Sequence, residues 1–172
     1  MEMGEFKKYV FRKYSDRFPA LFVYEKRRLQ KILPTALIEH FGSSAVPNLG
    51  GKGIVDVIIS VPKRSVNAAL KKLIDHGYER HCVGGGKERE FLVRVVKYHD
   101  QQRLVHVHLT NNGSRVWRMA LAVREYLRRD KMMAMEYARV KQRAAREAKG
   151  DGKKYRQLKR GFLVQLKRKA LR

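Results

Sequence analysis

Acid is what this sequence is short of. Sixteen Asp and Glu stand against forty Lys and Arg, a formal charge of +24. Cysteine is almost missing as well. Cys82 is the single one, which excludes an internal disulfide and any Cys-rich zinc module. A reducing, cytoplasmic compartment is the corresponding expectation. No apolar run approaches the ~18 residues of a membrane-spanning helix, and no apolar segment of signal-peptide type follows the first residues. What is present is a chain of 172 residues, 44% of them hydrophobic. That suits one compact domain over 1–172 with a real core, and it excludes a wholly disordered basic tail. The expected partners are anionic: a nucleotide or phosphorylated small molecule, nucleic acid, or an acidic surface.

The charge is uneven. Residues 1–114 carry a net +9 and residues 115–172 a net +15 in about half the length. The break coincides with a change of structural pattern. Apolar spacing predicts a helix over 18–33 (Leu21, Tyr24, Leu29, Leu33), ended by Pro34. A short strand is expected over 36–41 and a central strand over 54–61, the latter β-branched and apolar on both faces. Val66, Leu70 and Ile74 predict one helical face over 65–76, capped by Gly77. Strands follow over 78–83, 90–97 and 103–110, with hairpin connections at Gly84-Gly85-Gly86-Lys87 and His99-Asp100-Gln101-Gln102. Residues 115–172 read as three helices, their seams formed by Val116/Ala120/Val123/Leu127, Met133/Tyr137/Val140/Ala144 and Tyr155/Leu158/Phe162/Leu166. The fold class is α+β, an open sheet with helices packed on it and a helical C-terminal third.

The most informative stretch runs from Ile38 to Asp56. Gly42-Ser43-Ser44 at a strand end lets backbone N–H groups and a short hydroxyl approach an oxyanion. Fourteen residues later Asp56 interrupts an apolar strand, where a carboxylate needs a cation, a metal or a donor. Two readings follow: a phosphate cradle beside a metal-holding acid, or a plain loop with Asp56 paired to a neighbouring Lys or Arg.

These residues resemble a known family. Gly42-Ser43-Ser44-Ala45-Val46-Pro47-Asn48-Leu49, followed by Lys52, Ile54 and Asp56, is similar to the signature of the GrpB family in the polymerase-beta-like nucleotidyltransferase superfamily. His106-Val107-His108-Leu109 resembles its paired-histidine strand, and Trp117 with Arg124-Glu125-Tyr126-Leu127-Arg128 resembles its third-helix motif. Tyr137, Lys141, Lys154 and Phe162 resemble its closing helices. The resemblance implies a mixed, mostly antiparallel sheet flanked by helices, and a Gly-Ser turn that positions a nucleotide. In the superfamily, paired strand acids hold divalent metal for an in-line displacement. Here the position two beyond Asp56 is Ile58, and Asn48 and Gly53 replace the usual Gly and Pro.

The candidate site follows. Asp56 is the catalytic or metal-holding acid, and Gly42, Ser43, Ser44, Lys52 and Arg124 are candidates for phosphate. His106 and His108, at i and i+2, point to one face of a strand. With Asp56 or Glu90 they can form a mixed metal site, or they simply hydrogen-bond on an open sheet face. Mg²⁺ or Mn²⁺ is the expected cofactor if the site is catalytic, with Glu39, Glu90 or the histidines replacing the missing acid. Arg89 and Arg94 rank below Lys52 and Arg124, and neither Gly84-Gly85-Gly86-Lys87 nor Gly51-Lys52-Gly53 fits a P-loop. Lys153, Lys154, Arg156, Lys159, Arg160, Lys167, Arg168 and Lys169 form a basic C-terminal face. It suits RNA or DNA phosphates, an acidic lipid surface, or solvent alone. The alternative to a nucleotide-binding enzyme is therefore a non-catalytic nucleic-acid-binding module on the same scaffold.

Overall fold

The structure is a computed structural model, which describes residues 10–82, 85, 86 and 88–172. Its elements in chain order are α1 (Arg17–Ile32), β1 (Leu37–Phe41), β2 (Val55–Val61), α2 (Val66–Asp75), β3 (Glu79–Arg80), β4 (Glu90–Tyr98) and β5 (Gln101–Asn111), followed by α3 (Arg115–Arg129), α4 (Lys131–Ala148) and α5 (Gly152–Ala170). Short 3-10 turns cover Ser43–Ala45 and Lys63–Ser65. The five strands form one sheet in the order β1-β2-β5-β4-β3. β2 and β5 run parallel, and every other neighbouring pair is antiparallel. This is the mixed sheet flanked by helices that the sequence led us to expect.

Strand alternation divides the sheet into two faces. Val55, Val57, Ile59 and Val61 of β2, Val105, Val107 and Leu109 of β5, and Leu92 and Val96 of β4 share one core cluster with residues of α1 and α2. The other face carries Asp56 and Ile58, with His106 and His108 opposite them on β5. Phe41 and Glu39 of β1 stand opposite Asp56 and Ile58 on the other side. A second cluster joins Val46 and Leu49 of the loop after the Gly-Ser turn to Leu127, Met133 and Leu166 of the C-terminal helices. The helical third is thus packed onto the loop that carries the motif.

The helices pack largely on the faces the apolar spacing predicted, with single positions displaced on α1 and α2. On α1 the buried series is Phe18, Leu21, Glu25, Leu29 and Ile32, whereas Tyr24 is exposed. A helical stripe at 3- and 4-residue steps passes through Glu25, and the Tyr78 hydroxyl donates to its Oε1 at 2.5 Å. On α2 the buried residues are Ala69 and Leu73, and Ile74 is exposed. The predicted strand 78–83 shrinks to Glu79–Arg80, because Tyr78 turns inward to reach Glu25 instead of extending the ladder. Val83, Gly84 and Lys87, which the expected strand and hairpin included, lie outside the described residues. The other connection is a two-residue hairpin, with His99 (φ 45°) and Asp100 (φ 58°) left-handed as a tight turn requires.

Candidate functional site

Gly42 makes the local geometry. Its φ of +72° favours glycine, and a Cβ there would sit 2.5 Å from Asp56 Oδ2. The turn and the strand acid are therefore in direct contact, and no side chain fits between them. Ser43 faces the next loop, since a Cβ on Gly51 would meet its hydroxyl at 2.7 Å. Ser44 is buried and its Oγ lies 3.0 Å from His40 Nε2, while the His40 ring stacks on Phe22 of α1 at 4.7 Å. Burial pushes His40 down to about 4, so at neutral pH it is a neutral hydrogen-bonding partner. Arg128 of α3 donates twice to the Ala45 carbonyl, at 3.0 and 2.9 Å, which ties the end of the turn to the helical third.

Asp56 Oδ1 lies 3.2 Å from His106 Nδ1. A carboxylate partner needs the proton on Nδ1, which leaves Nε2 as the acceptor nitrogen of the neutral ring. Burial alone would raise the Asp56 carboxyl. The hydrogen bond and charge of His106, together with His108 and Lys52, outweigh that and hold it below the usual carboxylate value. His108 is buried between Phe41 and Phe91, each ring 5.0 Å from its own. Its burial pushes the imidazole down to about 3, and its Nδ1 has no hydrogen-bond partner among the described residues.

The charges around Asp56 are almost all positive. Arg89, Lys141 and Lys159 each feel its field, and Lys52 acts on it in turn. Lys141 comes from α4 and is 1% exposed. Its ammonium donates to the Gly50 carbonyl and lies 4.6 Å over the Tyr137 ring. Lys159 of α5 lies 4.1 Å over Tyr155. Burial, and then the charge of Lys159, lowers Lys141 to about 7. Burial, and then Lys52, lowers Lys159 to about 8. Beside the turn, a cavity of about 400 Å³ is lined by Ser43, Arg89, Val116, Met119, Val123 and Tyr137. That is why the predicted seam residues Val116, Ala120 and Val123 are only partly buried.

Three candidates are not brought to this cleft as expected. Glu90 pairs with Leu109, not with a histidine, so it points to the opposite face of the sheet. There it binds Arg80 at 2.8 Å. Arg124 reaches the edge of the site, but its fork is occupied: it donates to Glu39 Oε2, the His40 carbonyl and Glu125 Oε1, each at 2.7 Å. It clamps α3 to β1. Burial would lower its pKa, yet the bonds and charges of Glu39 and Glu125 outweigh that and raise it. Arg94, the lower-ranked candidate, is also on the far face, 3.7 Å from Glu25. Glu90 drops out of the expected metal set, which leaves Asp56 with His106 and His108 on one face. Among the described residues no three His, Cys, Asp or Glu converge as metal ligands. Ile58, fully buried, occupies the position of a second strand acid. These residues alone do not supply the ligand set of a divalent-metal centre.

Lys141 and Lys159 lie in the field of Asp56 but were not among the candidates for the site. The signal was available on α4, where Lys141 stands four residues after Tyr137 and three before Ala144, on the buried stripe.

Comparison with known proteins places this geometry. The GrpB protein family model matches residues 9–169. The chain belongs to the GrpB family. A UPF0157 protein of Deinococcus radiodurans is 30% identical over 154 residues, covering 90% of this chain and 78% of that protein. The Glutamate-rich protein GrpB of Alkalihalophilus pseudofirmus is 22% identical over 160 residues, 89% of this chain and 90% of that one. In three dimensions this GrpB chain is similar to the crystal structure of the conserved protein GrpB from Enterococcus faecalis, with a TM-score of 0.81 and 27% identity over 94% of this chain and 97% of that chain. More distant is the GLD-2/RNP-8 complex, at a TM-score of 0.55 and 16% identity over 78% of this chain and 56% of that chain. That second likeness concerns the fold, which is nucleotidyltransferase-like.

Proposed function

We propose that this GrpB protein binds a nucleotide or another phosphorylated ligand in the cleft between the Gly42-Ser43-Ser44 turn, Asp56 and the helical third. One observation carries the reading: a glycine turn pressed against a half-buried strand carboxylate, with Lys52, Arg89, Lys141 and Lys159 around it. An anion gains most in such a field when it is shielded from water. Backbone donors of the turn and the Ser43 hydroxyl would meet the phosphates, and the apolar wall of Val116, Met119 and Val123 would take the nucleobase. Asp56 and His106 would hold a proton-exchanging nitrogen toward the ligand. Nucleotidyl transfer is the reaction the fold suggests, although fold alone does not supply chemistry. The single cysteine supports a reducing, cytoplasmic setting.

A thermal-shift panel of nucleoside mono-, di- and triphosphates tests this reading. At least one nucleotide should raise the Tm of the wild-type protein and fail to raise that of Ser43→Asp, which puts a like charge beside the phosphates. No stabilisation by any nucleotide rejects it. The second reading, a non-catalytic nucleic-acid-binding module, is favoured by the exposed Lys153, Lys154, Arg156, Arg160, Lys167, Arg168 and Lys169 of α5. Undetectable oligonucleotide binding at low salt rejects that one. Among the described residues, no helix is long and apolar enough to cross a membrane.

A further inference from the structure

Lys141 poses an energetic problem. A buried ammonium is costly unless an opposite charge meets it. Yet among the described residues no carboxylate lies within ion-pair distance of Lys141 or Lys159. Each rests instead on the face of a tyrosine ring. A ring quadrupole, like the Gly50 carbonyl that accepts from Lys141, attracts a cation without cancelling its charge, so an anion is still favoured beside it. The Lys141 ammonium is also well placed for the cradle, 3.8 Å from where a Gly51 Cβ would be, and that same position lies against the Ser43 hydroxyl.

A divalent cation would find little to hold it in the same space. Oδ1 of Asp56 faces His106, Oδ2 is packed against Gly42, and Ile58 replaces the neighbouring acid. The other carboxylate on that face of β1, Glu39, is bound to Arg124. We propose that the cleft takes its phosphorylated ligand as the free polyphosphate anion, with the ammonium groups of Lys141 and Lys159 supplying the neutralisation that a metal ion supplies elsewhere. This rests on the phosphate-binding reading above and sharpens it, because it specifies the ionic form of the ligand. The two lysines lie on different helices, so an anion between them also joins α4 to α5.

Isothermal titration of the full chain with ATP, once in excess EDTA and once in excess Mg²⁺, decides the matter, with inorganic tripolyphosphate as a base-free probe. ATP and tripolyphosphate should bind in EDTA. Mg²⁺, by chelating the phosphates, should weaken both at least threefold. Lys141→Met and Lys159→Met keep the side-chain volume and remove the charge. Each should weaken binding in EDTA at least tenfold while melting as a folded protein. Binding of ATP in Mg²⁺ that disappears in EDTA overturns this inference and leaves the nucleotide site standing. ATP binding in neither condition overturns both.

Discussion

Two buried charge clusters lie on opposite faces of one sheet, and they are built on different rules. Beneath α1, Glu25 is fully buried and answered locally, by the Tyr78 hydroxyl at 2.5 Å and by Arg94 at 3.7 Å. Arg94 in turn lies 5.2 Å over the Tyr78 ring. Beneath the C-terminal helices, Lys141 is answered by the Gly50 carbonyl and an aromatic ring and Lys159 by a ring, with no carboxylate in ion-pair distance among the described residues, and Asp56 is outnumbered. The first cluster balances its charges one against one, although Glu25 Oε2 and one Arg94 nitrogen have no hydrogen-bond partner among the described residues. The second has a surplus of one sign beside a cavity. The contrast teaches that buried charge by itself does not mark a site; an unbalanced buried charge does.

The largest test of that contrast removes Glu25. Glu25→Ala leaves Arg94 without its partner and should cost about 3–5 kcal/mol, measured by urea unfolding. A loss below about 1 kcal/mol would mean the balanced cluster is not a true pair. Next come the two buried histidines, one on each face. His40 and His108 fall to about 4 and about 3 when folded, against an ordinary 6.5. The unfolded chain therefore binds more protons as pH drops below 6.5, so stability falls with falling pH until about pH 4 for His40. The effect for His40 is on the order of 2–3 kcal/mol, and His40→Gln should flatten part of the curve. An unchanged slope in that variant would remove His40 from the account.

The lysines act in the alkaline direction. Lys141 folds with a value of about 7 against 10.5 unfolded. Between those limits the unfolded state holds the extra proton, so apo stability should rise with pH by up to about 4–5 kcal/mol. Lys141→Met should lose that rise and be no less stable than wild type at pH 7; a large loss at pH 7 would place Lys141 with Glu25, as a structural group. The smallest effect is at the exposed end of α5. Arg168→Ala with Lys169→Ala should change stability by no more than about 0.5 kcal/mol. Any weakening of oligonucleotide binding, read by fluorescence anisotropy, should vanish at high salt.

The sequence displayed the framework well because its signals were local. The β-branched run from Ile54, the breaks at Pro34 and Gly77, and the glycine turn each depend on few neighbours. Gly42 and Asp56 were also legible as a pair, and the structure puts one against the other. The rest depended on partners distant in the chain. Nothing near Glu90 says that strand pairing turns it to the far face, where Arg80 waits. Arg124 carries a phosphate-binder's fork, but Glu39, eighty-five residues earlier, takes it. Lys159 read as one more charge on a basic face, since only tertiary packing brings it near Lys52 and Asp56. Single positions on α1 and α2 were misjudged where a buried polar or small residue, Glu25 or Ala69, took the place of a large apolar one.

The parallel pairing of β2 with β5 sets the tolerance of the site to changes in chain length. Asp56 meets His106 only because the two strands hold one register, and a slip of one residue would turn both histidines into the opposite core. The chain between β3 and β4 lies outside that register. Its end is nonetheless tied to the site, since Arg89 lines the cavity and the Glu88 carbonyl accepts from Thr110 Oγ1, so a change of length is better tolerated at the exposed His99–Asp100 turn between β4 and β5. A single insertion inside the His106-Val107-His108 step would dismantle the site while leaving its composition intact.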